Sequence, residues 1–310
     1  MLKPKVIVIL GATATGKSYC GLELAKKLHT EIISGDSMLV YRRMNIGTAK
    51  PNVEELQAVP HHLVDILEPD DEFNVFDFKK RIAVIINDCN VRGKIPIIVG
   101  GTGLYIKAVL EDYQFNTVDC NEAFRLELEK IANSDGNFAL MERLRILDPI
   151  AAARLHLNDR RRIIRAIETA TLGETVSQNK KEELAYDAVV FGLSMERETL
   201  YNRINIRVDQ MVDQGLFEEV HNLLQEGVSQ NAQSMKSIGY KQVVQYYSGE
   251  LDRTTAIAKI KQYTRNFAKR QFTWYKKMSY IKWFEVKSAS DYDDISEQMK
   301  QILEQKFNLR

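Results

Sequence analysis

The sequence predicts an α/β fold: a P-loop parallel sheet flanked by helices, with a helical insertion domain and C-terminal helices. Three observations predict it. Val6-Ile7-Val8-Ile9-Leu10 is an unbroken apolar run that stops at a glycine, the pattern of a parallel strand buried on both faces. Gly11-Ala12-Thr13-Ala14-Thr15-Gly16-Lys17-Ser18 follows at once and matches G-x-x-x-x-G-K-[ST] at every fixed position. Short apolar runs then alternate with helical periods, the arrangement of βαβ units.

Taken in order, residues 16–28 read as a helix with Leu22, Leu24, Ala25 and Leu28 on its apolar side. Glu31-Ile32-Ile33-Ser34 is a second short strand. Residues 76–91 are helical, with Phe78, Ile82, Ile85 and Ile86 on one side. Ile95-Pro96-Ile97-Ile98-Val99 is a third strand, again stopped by glycine, and residues 104–110 form the next helix. The character changes near Cys120. Residues 122–181 are helical by pattern, polar and rich in Arg and Lys, so 120–185 reads as a helical insertion between core segments 1–119 and 186–310. Residues 188–193 return to the sheet as a strand. Residues 199–212 and 217–224 are amphipathic helices, and 254–278 is a long basic helix.

Composition narrows the function. Of 310 residues, 45% are hydrophobic and 27% charged, which excludes a disordered chain. A net charge of +1 excludes a global polyanion-binding field, so any nucleic-acid surface is a local patch. Cys20, Cys89 and Cys120 are odd in number with no C-x-x-C pair, which fits reduced thiols rather than a disulfide framework or structural zinc. No export signal or membrane-length apolar run is present, and a cytoplasmic location is expected.

In the phosphate loop, the glycines let successive N–H groups converge on one anion and the following helix adds its positive end. Lys17 supplies a cation, and Ser18 offers a hydroxyl to Mg²⁺. Diphosphate or triphosphate binding follows. A hydrolysing P-loop enzyme also needs an acid at the end of a second apolar strand. Here Ile97-Ile98-Val99 ends in Gly100-Gly101 and Val189-Val190-Phe191 in Gly192, leaving Leu63-Val64-Asp65 as a thin candidate. The loop therefore grips phosphates during transfer of another group, or serves a small-molecule kinase.

Ligands of an open parallel sheet bind beyond the carboxyl ends of its strands. The P-loop, Ser34-Gly35-Asp36-Ser37 and Gly100-Gly101-Thr102-Gly103 should face one crevice. Asp36 there is a Mg²⁺ contact, a proton acceptor, or a turn residue. Thr102 is a hydroxyl donor to phosphate, a helix N-cap, or both. Three basic clusters stand elsewhere: Arg160-Arg161-Arg162 with Arg165; Lys236 with Tyr240 and Lys241; and seven cations from Lys259 to Lys277 interleaved with Tyr263, Phe267, Phe272, Trp274 and Tyr275. Each is an RNA surface or a solvated helix face over core aromatics, and for the third the latter reading is favoured. Adjacent His61-His62 cannot converge on one ion, so a structural role is expected.

The stretches Asp36 to Pro51 (with Gly47-Thr48-Ala49-Lys50-Pro51), Pro60-His61-His62-Leu63-Val64-Asp65 and Val99 to Tyr105 accompany the P-loop in a specific order. Asp148-Pro149, Arg161 to Ala166, Met211 to Val220, Ile238 to Gln242 and Thr264 to Trp274 continue it. Together, over residues 6–274, they resemble the tRNA dimethylallyltransferases (tRNA isopentenyltransferases) of bacterial type. The resemblance implies transfer of a dimethylallyl group from dimethylallyl diphosphate to N6 of the adenosine 3′-adjacent to the anticodon of tRNA, releasing diphosphate. It implies Asp36 as base, Thr102 beside the reacting ends, and Arg207 on the diphosphate, with Arg203 the alternative. Gly11, Thr13, Ala14, Thr15, Gly16, Lys17 and Ser18 would hold the donor, with Mg²⁺ at Ser18. The implied tRNA contacts are Asp36, Ser37, Met38, Leu39 and Thr102; Arg161, Arg162, Ile163, Ile164 and Arg165; and Lys236, Ser237, Ile238, Gly239, Tyr240 and Lys241. A monomer without membrane attachment is expected. A small-molecule kinase and a prenyltransferase of free adenine nucleotides are the alternatives.

Overall fold

The structure, a computed structural model, describes residues 3–113, 121–172 and 183–309; Cys120 lies outside them. The chain divides into two compact units, Met1–Glu111 with Glu183–Arg310, and Asp112–Glu182. The sequence reading put the same divisions at 120 and 185.

The first unit is organised by β1 (Lys5–Gly11). Its apolar side chains have no solvent exposure, so the strand must be central. It pairs in parallel with β4 (Ile97–Gly100) on one side and β5 (Asp187–Ser194) on the other. Beyond β4 lie β2 (Ile32–Ser34) and the two-residue edge strand β3 (His61–His62); beyond β5 lies β6 (Ile281–Glu285). The sheet order is β3-β2-β4-β1-β5-β6, parallel throughout.

Strand alternation divides the core. Val6, Val8 and Leu10 face one cluster with α3 (Val75–Val91) and α4 (Gly103–Leu110). The same cluster takes in α9 (Arg197–Asp213), α10 (Leu216–Gln225), α11 (Tyr240–Tyr247) and α12 (Arg253–Tyr275). Ile7 and Ile9 face the other, with α1 (Lys17–Lys27) and α13 (Asp291–Phe307). A short helix, α2 (Val53–Ala58), opens with a capping box at Asn52. The chain leaves and re-enters this unit at one place, where Ala185 N–H donates to the Leu110 carbonyl at 2.8 Å.

The second unit comprises α5 (Glu122–Ser134), α6 (Gly136–Leu147), α7 (Pro149–Arg154) and α8 (Arg160–Thr171), as its helical pattern predicts. Its own core includes Leu128, Leu140, Leu144, Ile163, Ile164 and Ile167. Buried Glu168 accepts from Asn121 N–H, Arg125 and Arg165. Residues 173–182 of the expected helical stretch are outside the described residues.

The sequence reading expected helices alone after the last basic helix; the structure adds β6. Of its five residues only Ile281 is buried, so the apolar signal of a strand is weak. No described helix is long and apolar enough to cross a membrane.

Beneath the opposite end of β2, Glu31 gathers cations. Its carboxylate, 5% exposed, accepts from Arg92, from Lys94 at 2.7 Å and from His62 Nε2 at 2.8 Å. His62 is thus structural. Arg92, ahead of Lys94 and His62, holds the Glu31 carboxyl far below the usual range while burial opposes. The folded pKa is depressed, so this stabilisation is complete above the unfolded value of about 4.3 and is lost as pH falls. Glu31→Gln should lower unfolding free energy in urea by about 3 kcal/mol at pH 7, with the difference from wild type shrinking below pH 4.

Candidate functional site

The P-loop connects the end of β1 to α1. Ala14 (φ 64) and Gly16 (φ 91) both take left-handed backbone, and a Cβ on Gly16 would lie 2.3 Å from the Tyr292 ring of α13. The loop's donors turn inward onto one acceptor. The Ala12 carbonyl receives Thr15 N–H at 3.4 Å, Thr15 Oγ1 at 2.8 Å and Lys17 Nζ at 3.0 Å. Tyr292 OH donates to the Thr15 carbonyl at 3.2 Å. Gly16 caps α1 without a side-chain bond, and no acid stands in the first turn. The helix N-terminus therefore keeps its N–H groups and positive end for an anion.

A cavity of about 320 Å³ opens beside this loop, at the carboxyl edge of the sheet. Thr13, Asp36, Ser37, Thr102, Arg207 and Lys236 supply polar lining, and Met38, Ile204, Val208, Met211, Ile238, Ile260 and Phe267 apolar lining. The three strand ends named from sequence thus meet. Asp36 Oδ1 accepts Met38 N–H at 2.8 Å, an Asx turn that uses one oxygen and leaves the other. Thr102 sits at the N-cap of α4 but makes no side-chain cap bond. Its Oγ1 instead accepts Ser37 N–H at 3.2 Å, leaving the hydroxyl proton to donate.

The charges at this end act on one another. Burial first, and the neighbouring Arg207 charge second, bring Lys17 down to about 8, while Asp36 pulls it upward. Burial also lowers Arg207, with Asp36 opposing and Arg203 assisting. Two desolvated cations and one carboxylate make a positive pocket with excess charge to neutralise. Arg207 lines the cavity; Arg203 lies over the Tyr292 ring at 5.5 Å. Asp65, the thin candidate for a second acid, is paired with Lys50.

Gln271 and Tyr275 of α12 belong to this architecture; Tyr275 is core, in line with the favoured reading of its cluster, and Gln271 is a site-building residue that the sequence does not single out. Gln271 Oε1 accepts Thr13 N–H at 2.9 Å, and its Nε2 donates to the Gly101 carbonyl at 2.8 Å. Tyr275 OH also donates to Gly101 at 2.8 Å. Both are buried and tie the ends of β1 and β4 together. The signal was their spacing, one helical turn apart on the apolar side of α12.

Three positions of the RNA set have buried side chains. Ile163 and Ile164, 0% and 5% exposed, are core of the second unit, and Tyr240, 0% exposed, points its hydroxyl to Glu219. None presents its side chain to a ligand. Arg161 and Arg162 are exposed, and Arg165 is turned to Glu168. Lys236, Ser237, Ile238 and Gly239 line the cavity, Lys241 is exposed, and Leu39 lies outside the lining.

The chain matches the IPP transferase family over residues 39–278 and the isopentenyl transferase family over residues 4–67. It is 47% identical over 289 residues to the tRNA dimethylallyltransferase of Carboxydothermus hydrogenoformans, covering 92% of this chain and 93% of that protein. The solved tRNA isopentenylpyrophosphate transferase of Bacillus halodurans is 42% identical, with a TM-score of 0.74 and 99% of each chain covered. A eukaryotic dimethylallyltransferase solved acting on tRNA is 29% identical, with a TM-score of 0.82, covering 98% of this chain and 79% of that one.

A fully ionised anion that stabilises protonated Lys17 should bind with near-constant affinity between about pH 7, below which the anion itself protonates, and about pH 8, and more weakly above it. Calorimetry with methyl diphosphate should show about a tenfold loss per pH unit there and proton uptake on binding. Lys17→Ala should flatten the profile.

Proposed function

The chain belongs to the tRNA dimethylallyltransferase family, transferases of tRNA modification, and on that premise we propose how its cavity joins donor to acceptor. The donor is dimethylallyl diphosphate, and the acceptor is N6 of the adenosine 3′-adjacent to the anticodon. The observation that carries this reading is a single cavity that joins Thr13 of the P-loop, Arg207, Asp36 and Thr102 to an apolar lining, with Lys17 near enough to feel the charges of Arg207 and Asp36. A kinase needs no such lining beside its base; a five-carbon alkyl group does.

The P-loop amides after Thr13, with Lys17 and Arg207, hold the diphosphate. Breaking the allylic C–O bond adds negative charge to this group, so donors fixed in a dry site stabilise the departing anion. Ser18 is exposed in the first turn of α1, and its hydroxyl is an oxygen donor of the kind Mg²⁺ takes. When bound, Mg²⁺ would neutralise further charge on the diphosphate. The target adenine leaves its stack to reach the cavity. The free oxygen of Asp36 accepts a hydrogen bond from N6, aims its lone pair at the allylic carbon and takes the proton as the C–N bond forms. The Thr102 hydroxyl, fixed by Ser37 N–H, donates to the oxygen that bridges carbon and phosphorus. Exposed Lys236, Lys241, Arg161 and Arg162 contact RNA phosphates.

The test mixes the protein, Mg²⁺, labelled dimethylallyl diphosphate and an unmodified anticodon stem-loop, with ATP and free AMP in parallel. Label should enter RNA, not AMP, without ATP. Asp36→Asn keeps the acceptor for Met38 N–H and removes the base; turnover should fall roughly 10²- to 10⁴-fold with RNA affinity unchanged. Weakened RNA binding at normal turnover would remove the assignment.

A further inference from the structure

We propose that Glu219, which does not line the cavity, is a positioning residue for the acceptor. It locks together two segments that do line the cavity, and the inference rests on the acceptor reading given above.

Glu219 lies in the first turn of α10. Its Oε2 accepts Asn45 N–H and Ile46 N–H, both at 2.8 Å. Its Oε1 accepts Gly47 N–H at 3.2 Å and Tyr240 OH at 2.6 Å. One carboxylate thus receives four donors from two distant parts of the chain. The first part runs on into Gly47 and Thr48, which line the cavity. The second, at the start of α11, follows Lys236, Ser237, Ile238 and Gly239, which also line it.

The fit around the carboxylate is close. A Cβ on Gly47 would lie 2.4 Å from Tyr240 Cε2 and 2.9 Å from Leu216 Cδ1, so this position accepts only glycine without displacing the ring. Burial, reinforced by the Glu219 charge, raises the Tyr240 phenol well above its ordinary range and keeps it a donor. Three consecutive N–H groups aimed at one carboxylate also form an anion-binding concavity filled from within the chain. The phosphate end of the cavity is held separately, through Ala12, Gln271 and Tyr275. Loosening Glu219 therefore shifts the walls that meet the acceptor and leaves the diphosphate end intact.

The experiment compares wild type with Glu219→Ala, Glu219→Gln and Tyr240→Phe. It reads steady-state kinetics on an anticodon stem-loop at saturating dimethylallyl diphosphate, calorimetric affinity for inorganic diphosphate, and the melting transition. Glu219→Ala should lower kcat/KM for RNA on the order of 10²-fold, the scale of a 1 Å misplacement, at temperatures where it is fully folded. Its diphosphate affinity should be unchanged. Glu219→Gln, which still offers a carbonyl to the amides, should recover part of the loss, and Tyr240→Phe should lose about tenfold. Folded Glu219→Ala with wild-type kcat/KM overturns the proposal, as does a matching loss of diphosphate affinity. If Glu219→Ala does not fold, unchanged kinetics in Tyr240→Phe overturn it. A wild-type protein that binds diphosphate but transfers nothing to RNA removes the acceptor reading itself, and this inference with it.

Discussion

Three hydrogen bonds to the carbonyl oxygen of Ala12 set the direction of everything around them. Thr15 donates twice and Lys17 once, while the Gly11 and Thr15 carbonyls accept from Tyr275 and Tyr292, so these acceptors are turned away from an anion. An anion site made of main chain needs this sorting, because a peptide presents both a donor and an acceptor. The fully buried β1 holds one end of the loop still and α1 holds the other. Gln271 then takes the Thr13 amide, which sets where the anion-facing stretch begins.

The same arrangement sets two cations against each other. Lys17 and Arg207 are desolvated close to each other, with Asp36 as partial compensation. Two neighbouring, half-buried cations gain more from a multiply charged anion than from a monoanion. Asp36 serves two ends at once: it moderates the cations and faces the apolar cavity where an amine can approach.

Legibility followed local chemistry. The P-loop, Asp36 and Thr102 were readable because glycines and strand ends fix their positions with few residues, and strand ends of a parallel sheet must face one edge. The central strands were readable because burial on both faces leaves no polar residue to interrupt them. β6 escaped because an edge strand with one buried side chain carries little apolar pattern. On α12 the pattern favours core aromatics under a solvated basic face but does not say what they meet; only the three-dimensional packing shows that Gln271 and Tyr275 reach the phosphate loop. Ile163, Ile164 and Tyr240 sit inside basic stretches for the same reason, as the buried side of a charged helix.

The hydrogen bond from Ala185 to Leu110 pins the departure and return of the chain side by side on the core. The pairing of β1 with β4 and β5 is therefore set within one unit. A stretch attached through so narrow a doorway can lengthen, shrink or be rewritten without disturbing the register of β1, β4 and β5. The inserted unit, with a core of its own, can drift in sequence while the bond-making residues stay locked in the sheet's unit.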